Sequence, residues 1–336
     1  MQLAQNNIGI LTDSYGRKIS YLRISITDRC DFRCLYCMSD DMQFLPRSRI
    51  LSLDEIFVIA KAFVSLGVEK IRITGGEPLV RKDCLSLMHK LGKLKKLKEL
   101  TITTNGSQLG RFAKELKVAG VKRINISLDS LDRENFKRLT RTGKLEQVLS
   151  GIQAAREAGF ERIKINAVII KNRNHREIIN LANYAIENNF DITFIEEMPL
   201  GITTDHNRKE AYYSSDEVRQ DLAKVFSLEK SAETTGGPAN YYKISQSSTR
   251  IGFISPHSHN FCGDCNRVRL TAEGQLLLCL GQENSVDLKK VVREKINSPF
   301  SLERAILRSM SIKPLGHSFE IEEKPMIFRH MSHTGG

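Results

Sequence analysis

The chain has 336 residues, 40% hydrophobic and 27% charged, which suits one large barrel with an appendage, or two ordinary domains, around a real apolar core. Its 51 Lys and Arg against 39 Asp and Glu leave a charge of +12, and that excess suggests an anionic partner. The basic residues are spread along helical stretches such as 90–98, and the 7% of aromatics does not interleave with them, so a phosphorylated small molecule is expected and nucleic acid is not.

No apolar run reaches the roughly 18 residues that a membrane-crossing helix needs, so no membrane partner is expected. Residues 1–20 have neither the basic head nor the apolar middle of a secretory signal. A reducing cytoplasm is therefore expected, in which the 7 cysteines are metal ligands or free thiols and not disulfides.

Along the chain, residues 21–27 alternate apolar and polar as a strand does and run straight into a cysteine-rich loop. Helical periodicity follows over 54–66, 83–94, 111–119, 145–158 and 176–188, several of these stretches closing on glycine. Strand patterns lie between them at 70–74, 99–104, 123–127, 163–170 and 191–196. Six strand–helix alternations with short connections predict a parallel sheet, as a partial (βα)6 TIM-type barrel over residues 1–200. Beyond Met198 the period changes. A polar connection at 205–213, a helix at 215–226 capped by Ser215, and strands at 241–244 and 250–254 are expected. A hairpin over 268–280 and basic helices at 288–296 and 301–309 complete a C-terminal α+β domain, residues 201–336.

The chemistry-bearing residues cluster at strand C-terminal ends, the rim where parallel α/β folds bind ligands. Cys30, Cys34 and Cys37 form a C-x3-C-x2-C run. Thiolates are the ligands that iron–sulfur clusters take, usually four of them, so three leave one iron open. A structural zinc site would normally use paired C-x2-C units instead. Gly75-Gly76-Glu77-Pro78 ends the second strand; as a bare tetrapeptide it is a turn, with a carboxylate able to accept from an ammonium group. Cys262, Cys265 and Cys279 form a second trio, C-x2-C-x13-C, open either to another cluster or to a zinc site completed by His257 or His259. Arg267 and Arg269 follow it one residue apart on a strand, with guanidinium groups suited to phosphate. Cys84 opens a helix and is expected to pack as a small apolar residue.

With Tyr36 just before its last cysteine, the first trio resembles the signature of the radical S-adenosylmethionine enzymes. In such enzymes the open iron is chelated by the methionine amino and carboxylate groups, and reductive cleavage releases a 5′-deoxyadenosyl radical. The second trio, with Cys262 to Leu270 and the terminal Gly335-Gly336, narrows the resemblance to the GTP 3′,8-cyclase family of molybdenum cofactor biosynthesis, over nearly the whole chain.

That resemblance implies two [4Fe–4S] clusters, on Cys30, Cys34 and Cys37 and on Cys262, Cys265 and Cys279. It implies S-adenosylmethionine contacts at Tyr36, Gly76, Glu77, Ser127 and Met198. GTP contacts are implied at Arg23, Lys70, Arg72, Thr103, Lys164, Arg267, Val268 and Arg269, with Gly335 and Gly336 reaching into the site. It further implies an electron donor, a downstream cyclic pyranopterin monophosphate synthase and a homodimer. Three positions depart from the pattern: Thr193 where some members place a triphosphate-binding arginine, Thr334 in place of an aliphatic residue, and Ser39 in place of proline. The rival readings are a radical enzyme that modifies a peptide and a zinc-ribbon protein that binds nucleic acid.

Overall fold

The computed structural model describes residues 10–39, 41–201, 207–245, 247–294, 301–321 and 327–335. Gly336, part of the polar connection and the end of the first basic helix lie outside them. Among the described residues the strands are β1 (Tyr21–Ser25), β2 (Lys70–Thr74), β3 (Glu99–Thr104), β4 (Arg123–Ser127), β5 (Arg162–Ile169), β6 (Asp191–Glu196), β7 (Leu228–Lys230), β8 (Asn240–Ile244), β9 (Arg250–Ile254), β10 (Arg267–Leu270), β11 (Gln275–Leu277) and β12 (Ser285–Asp287). They form one 12-stranded sheet in the order β12-β11-β10-β1-β2-β3-β4-β5-β6-β9-β8-β7.

The six expected strands are parallel neighbours in chain order. The C-terminal half does more than sit beside them: β10 pairs parallel with β1 and β9 pairs parallel with β6, so it extends both edges of the barrel wall. Both added edges are then finished by antiparallel strands.

Alternation along each strand decides the two faces of this wall. Ile24, Ile71, Ile73, Ile102, Ile124, Ile126, Ile165 and Ile192 are fully buried in the main apolar core, together with Ile56, Ile59, Leu87, Leu91, Leu116 and Val148 of the surrounding helices. Each such side chain contributes about 1.5–3 kcal/mol by leaving water. The residues between them are buried too, but polar: Arg72, Thr101, Asn125, Lys164 and Thr193. A closed barrel of this type fills its interior with branched apolar side chains. Here the lumen is polar instead, which suits a charged ligand.

Two details differ from the sequence expectations. The helix Ser215–Ala223 is capped by Ser214, not Ser215, because Ser214 stands three residues before Glu217 and the pair closes a capping box. An unexpected helix, Arg133–Thr140, follows β4 and takes Asp132 as its cap. Cys84 begins a helix and is 2% exposed, so it packs as a small apolar residue.

Candidate active site

The first cysteine loop leaves β1 and is braced from behind by the unexpected helix. Arg33 and Leu35 donate their backbone N–H groups to Thr140 O and Leu139 O, and Phe32 meets Phe136 edge-on at 5.9 Å. A turn from Cys34 O to the Cys37 and Met38 N–H groups then brings Cys30, Cys34 and Cys37 to the wall of one cavity of about 220 Å³. Burial raises all three thiols, Cys37 to about 12, and the nearby carboxylates of Glu77 and Asp129 push in the same direction. Tyr36 donates to Asp129 Oδ2 (2.6 Å), while Val168 N–H donates to Asp129 Oδ1 (2.8 Å). Burial outweighs both bonds and lifts that carboxyl to about 6.

Gly76, Ser127 and Met198 line the same cavity. At Gly76 a Cβ would stand 2.5 Å from Arg29 O, so the glycine lets two loops meet backbone to backbone. Glu77 does not line the cavity. It is fully buried, accepting from Leu79 N–H (3.0 Å), Thr104 Oγ1 (2.9 Å) and Asn105 N–H (2.7 Å), and burial raises it to about 8. Its carboxylate thereby fixes Asn105, whose Nδ2 donates to Asp31 Oδ1 (2.6 Å) and to Cys30 Sγ (3.8 Å).

Cys262, Cys265 and Cys279 line a second cavity of about 90 Å³ with Arg267, Val268 and Phe261. Neither histidine proposed to complete a zinc site joins them: His257 Nε2 is 2.9 Å from Glu197 O, and His259 Nε2 is 3.0 Å from the Asp216 carboxylate. His317 does line this cavity. Its Nδ1 accepts from Phe319 N–H (3.3 Å), and burial lowers the ring to about 4, so it is neutral with Nε2–H as its donor. Arg23, Met198, Pro238 and Arg269 line both cavities, which makes them the passage between the two trios.

Strand register makes this passage cationic. Arg269, Arg23 and Arg72 are direct partners across β10, β1 and β2, and one step below them come Arg267, Tyr21 and Lys70. Like charges placed opposite one another cost stability, so such rows belong to a site and not to a scaffold. Burial, reinforced by neighbouring cations, depresses Arg23 to about 10, Lys70 to about 8 and Arg269 well below its usual value. Protein groups partly occupy the row: Arg72 Nε donates to Tyr21 Oη (2.5 Å) and its guanidinium to Thr103 Oγ1 (3.1 Å), Lys70 to Thr235 O (2.7 Å) and Lys164 to Tyr241 Oη (2.7 Å). Lys70, Arg72 and Lys164 line neither cavity, whereas Thr103 lines the larger one. Gly335 enters from the C-terminus with φ 77, its carbonyl accepting from Arg269 (2.5 Å); a Cβ there would collide with Thr74 Oγ1.

The donor sets fit iron–sulfur clusters. All six cysteines are free, and each trio lines a cavity with three sulfur donors, the ligand type that iron–sulfur clusters take. Among the described residues no three His, Cys, Asp or Glu side chains are already gathered around one metal position.

Comparison with known proteins agrees. Residues 24–185 match the Radical SAM superfamily model and residues 190–319 the Molybdenum Cofactor Synthesis C model. GTP 3′,8-cyclase from Pseudomonas putida is 57% identical over 333 residues, spanning 99% of this chain and 100% of its own length. GTP 3′,8-cyclase 2 from Pseudomonas aeruginosa is 56% identical over 97% of this chain and 98% of its own. The chain belongs to the GTP 3′,8-cyclase family. Among solved structures, Streptococcus suis SuiB bound to S-adenosylmethionine superimposes with a TM-score of 0.61 at 17% identity, covering 84% of this chain and 66% of SuiB. SuiB bound to its precursor peptide SuiA gives 0.63 at 18% identity, covering 90% and 67%. At such identity these neighbours establish the radical SAM fold and no more, so they lend nothing to the peptide-modifying reading.

Within the family fold, the sequence motifs gave no individual role to Asn105, Asp129, His317, Lys313, Tyr21 or Tyr241. Asn105 and Asp129 stand at the strand ends already marked as the ligand rim, which was a usable signal. The other four acquire their surroundings only through tertiary contacts.

Proposed function

We propose that this chain converts GTP to (8S)-3′,8-cyclo-7,8-dihydroguanosine 5′-triphosphate in molybdenum cofactor biosynthesis. The observation that carries this reading is the cationic grid of Arg269, Arg23 and Arg72 over Arg267 and Lys70, set between two sulfur trios. Guanidinium forks bind phosphate oxygens bidentately, and a triphosphate relieves the repulsion that these buried cations impose on one another. When bound, the N-terminal cluster with S-adenosylmethionine supplies radical initiation, and the C-terminal cluster supplies a vacant iron to hold the base.

The chain's own residues do the rest. Tyr36, Gly76, Ser127 and Met198 shape the S-adenosylmethionine wall, and Glu77 supports it through Asn105. Arg23 and Arg269 meet GTP in the passage, with Arg267 and Val268 on the smaller cavity and Thr103 on the larger, while Lys70, Arg72 and Lys164 add positive charge from behind the cavity walls. Gly335 holds Arg269 by its carbonyl. An external electron donor, a homodimer, a downstream cyclic pyranopterin monophosphate synthase and a cytoplasmic location complete the reading; no described helix is long and apolar enough to cross a membrane.

The test is anaerobic reconstitution with iron, sulfide and zinc counted on one sample. About eight irons per chain, as two four-iron cubes require, together with cyclised product from GTP and S-adenosylmethionine, is the expected result. About four irons and one zinc would leave the base without its anchor and overturn the assignment.

A further inference from the structure

Two buried cations grip the loop that carries the C-terminal trio, and only one of them brings its own counter-ion. Arg17 donates to Cys262 O (2.7 Å), Leu315 O (2.5 Å) and Pro314 O (2.6 Å), and its charge is met by Asp13 at 2.6 Å. Lys313 is 2% exposed, and its Nζ donates to Leu278 O (2.6 Å), Arg267 O (3.2 Å) and Cys265 Sγ (3.7 Å). Among the described residues no carboxylate lies within ion-pair distance of it. Its three acceptors come from both ligand segments, because Arg267 stands two residues after Cys265 and Leu278 stands directly before Cys279.

A buried ammonium is costly unless a negative charge balances it. Two carbonyls orient Lys313 without neutralising it, and among the described residues the only other acceptor it meets is a ligand sulfur, so the sulfur side is where a compensating charge would lie. Three thiolates on an oxidised four-iron cube outweigh the charge of its core, and reduction adds one more negative charge.

We propose that Lys313 is the built-in counter-ion of the C-terminal iron–sulfur site, joining its two ligand segments and raising its reduction potential through an N–H···S hydrogen bond. This rests on the reading that a cluster occupies the second trio. Hydrogen bonds to ligand sulfur favour the reduced, more negative state and so move the potential upward. Lys313 acts through Cys265 and Cys279 and is a positioning residue for the cluster.

The experiment compares wild type, Lys313→Met and Lys313→Arg as reconstituted holoenzymes, using EPR-monitored redox titration with the N-terminal cluster as internal reference. In Lys313→Met the reduced-to-oxidised ratio of the C-terminal cluster at a fixed potential should fall about tenfold, or about 59 mV for one electron. The N-terminal cluster should not move, and Lys313→Arg should stay near wild type. Loss of about four irons from the methionine variant with retention in the arginine variant would also support the proposal. An unchanged potential in Lys313→Met, or equal iron loss in both variants, would overturn it by reducing Lys313 to a shape-filling staple. Four irons in the wild type would instead remove the assignment of a second cluster on which the proposal rests.

Discussion

The two sulfur trios share a ligand count and differ in the charge around them. The N-terminal trio is set among carboxyls: Glu77 and Asp31 act on Cys30, and Asp129 acts on Cys34 and Cys37. The C-terminal trio is set among cations, with Arg267 and Lys313 acting on Cys265. Potential follows net charge and hydrogen bonding around a cluster, so a cluster on the second trio, beside Arg267 and Lys313, would be the more easily reduced of the two and would attract a polyanion.

The largest effect should come from stripping cations from the second environment while leaving sulfur alone. Arg267→Ala with Arg269→Ala removes two charge-assisted phosphate contacts worth about 1.5–3 kcal/mol each, so GTP affinity should fall roughly 10²- to 10⁴-fold. Iron content should stay at its wild-type value, since neither side chain is a ligand. Equilibrium dialysis of GTP beside an iron assay checks both halves, and a loss of iron would show that these arginines build the cluster site itself. A smaller loss is expected where the tail joins the two environments. Gly335→Ala would place a Cβ against Thr74 Oγ1 at a φ of 77, displacing the carbonyl from Arg269. Product formation should drop about 10- to 100-fold, the effect of one misplaced positioning group, with thermal unfolding little changed.

Much of this was legible in sequence, for physical reasons that differ by region. The strands 70–74, 99–104, 123–127, 191–196 and 250–254 stand where alternation put them, because each has an apolar face against helices and a polar face toward the lumen. The first trio was visible because its spacing fits one covalent loop. The helix Arg133–Thr140 was missed because Phe136 and Leu139 are its only large apolar residues, too few to make a periodic stripe. Ser214 was within reach, since the Ser-x-x-Glu spacing to Glu217 selects it over Ser215. The cationic rows were not legible: nothing local says that β10 pairs with β1 across more than two hundred residues, and only that pairing sets Arg269 beside Arg23. Lys313 is likewise one basic residue before a proline until tertiary packing buries it.

The subtlest test of the contrast between the two environments lies at their shared floor, where Tyr21 stands between Arg267 and Lys70. Burial would raise its phenol, but Arg72, Arg23 and Lys70, with the Arg72 hydrogen bond, bring it down to about 7. A depressed folded-state value means that the phenolate's contribution to stability is full above the ordinary tyrosine range and is lost as pH falls through about 7. The same charge competes with a triphosphate for those cations, so binding GTP should return the proton. GTP affinity should therefore weaken by up to about tenfold between pH 7 and pH 8, one proton per unit. Tyr21→Phe should flatten that slope relative to wild type, with the ionisation of the nucleotide cancelling between the two proteins. Parallel slopes in binding titrations would place the proton on another group and leave Tyr21 as a neutral hydrogen-bond acceptor for Arg72.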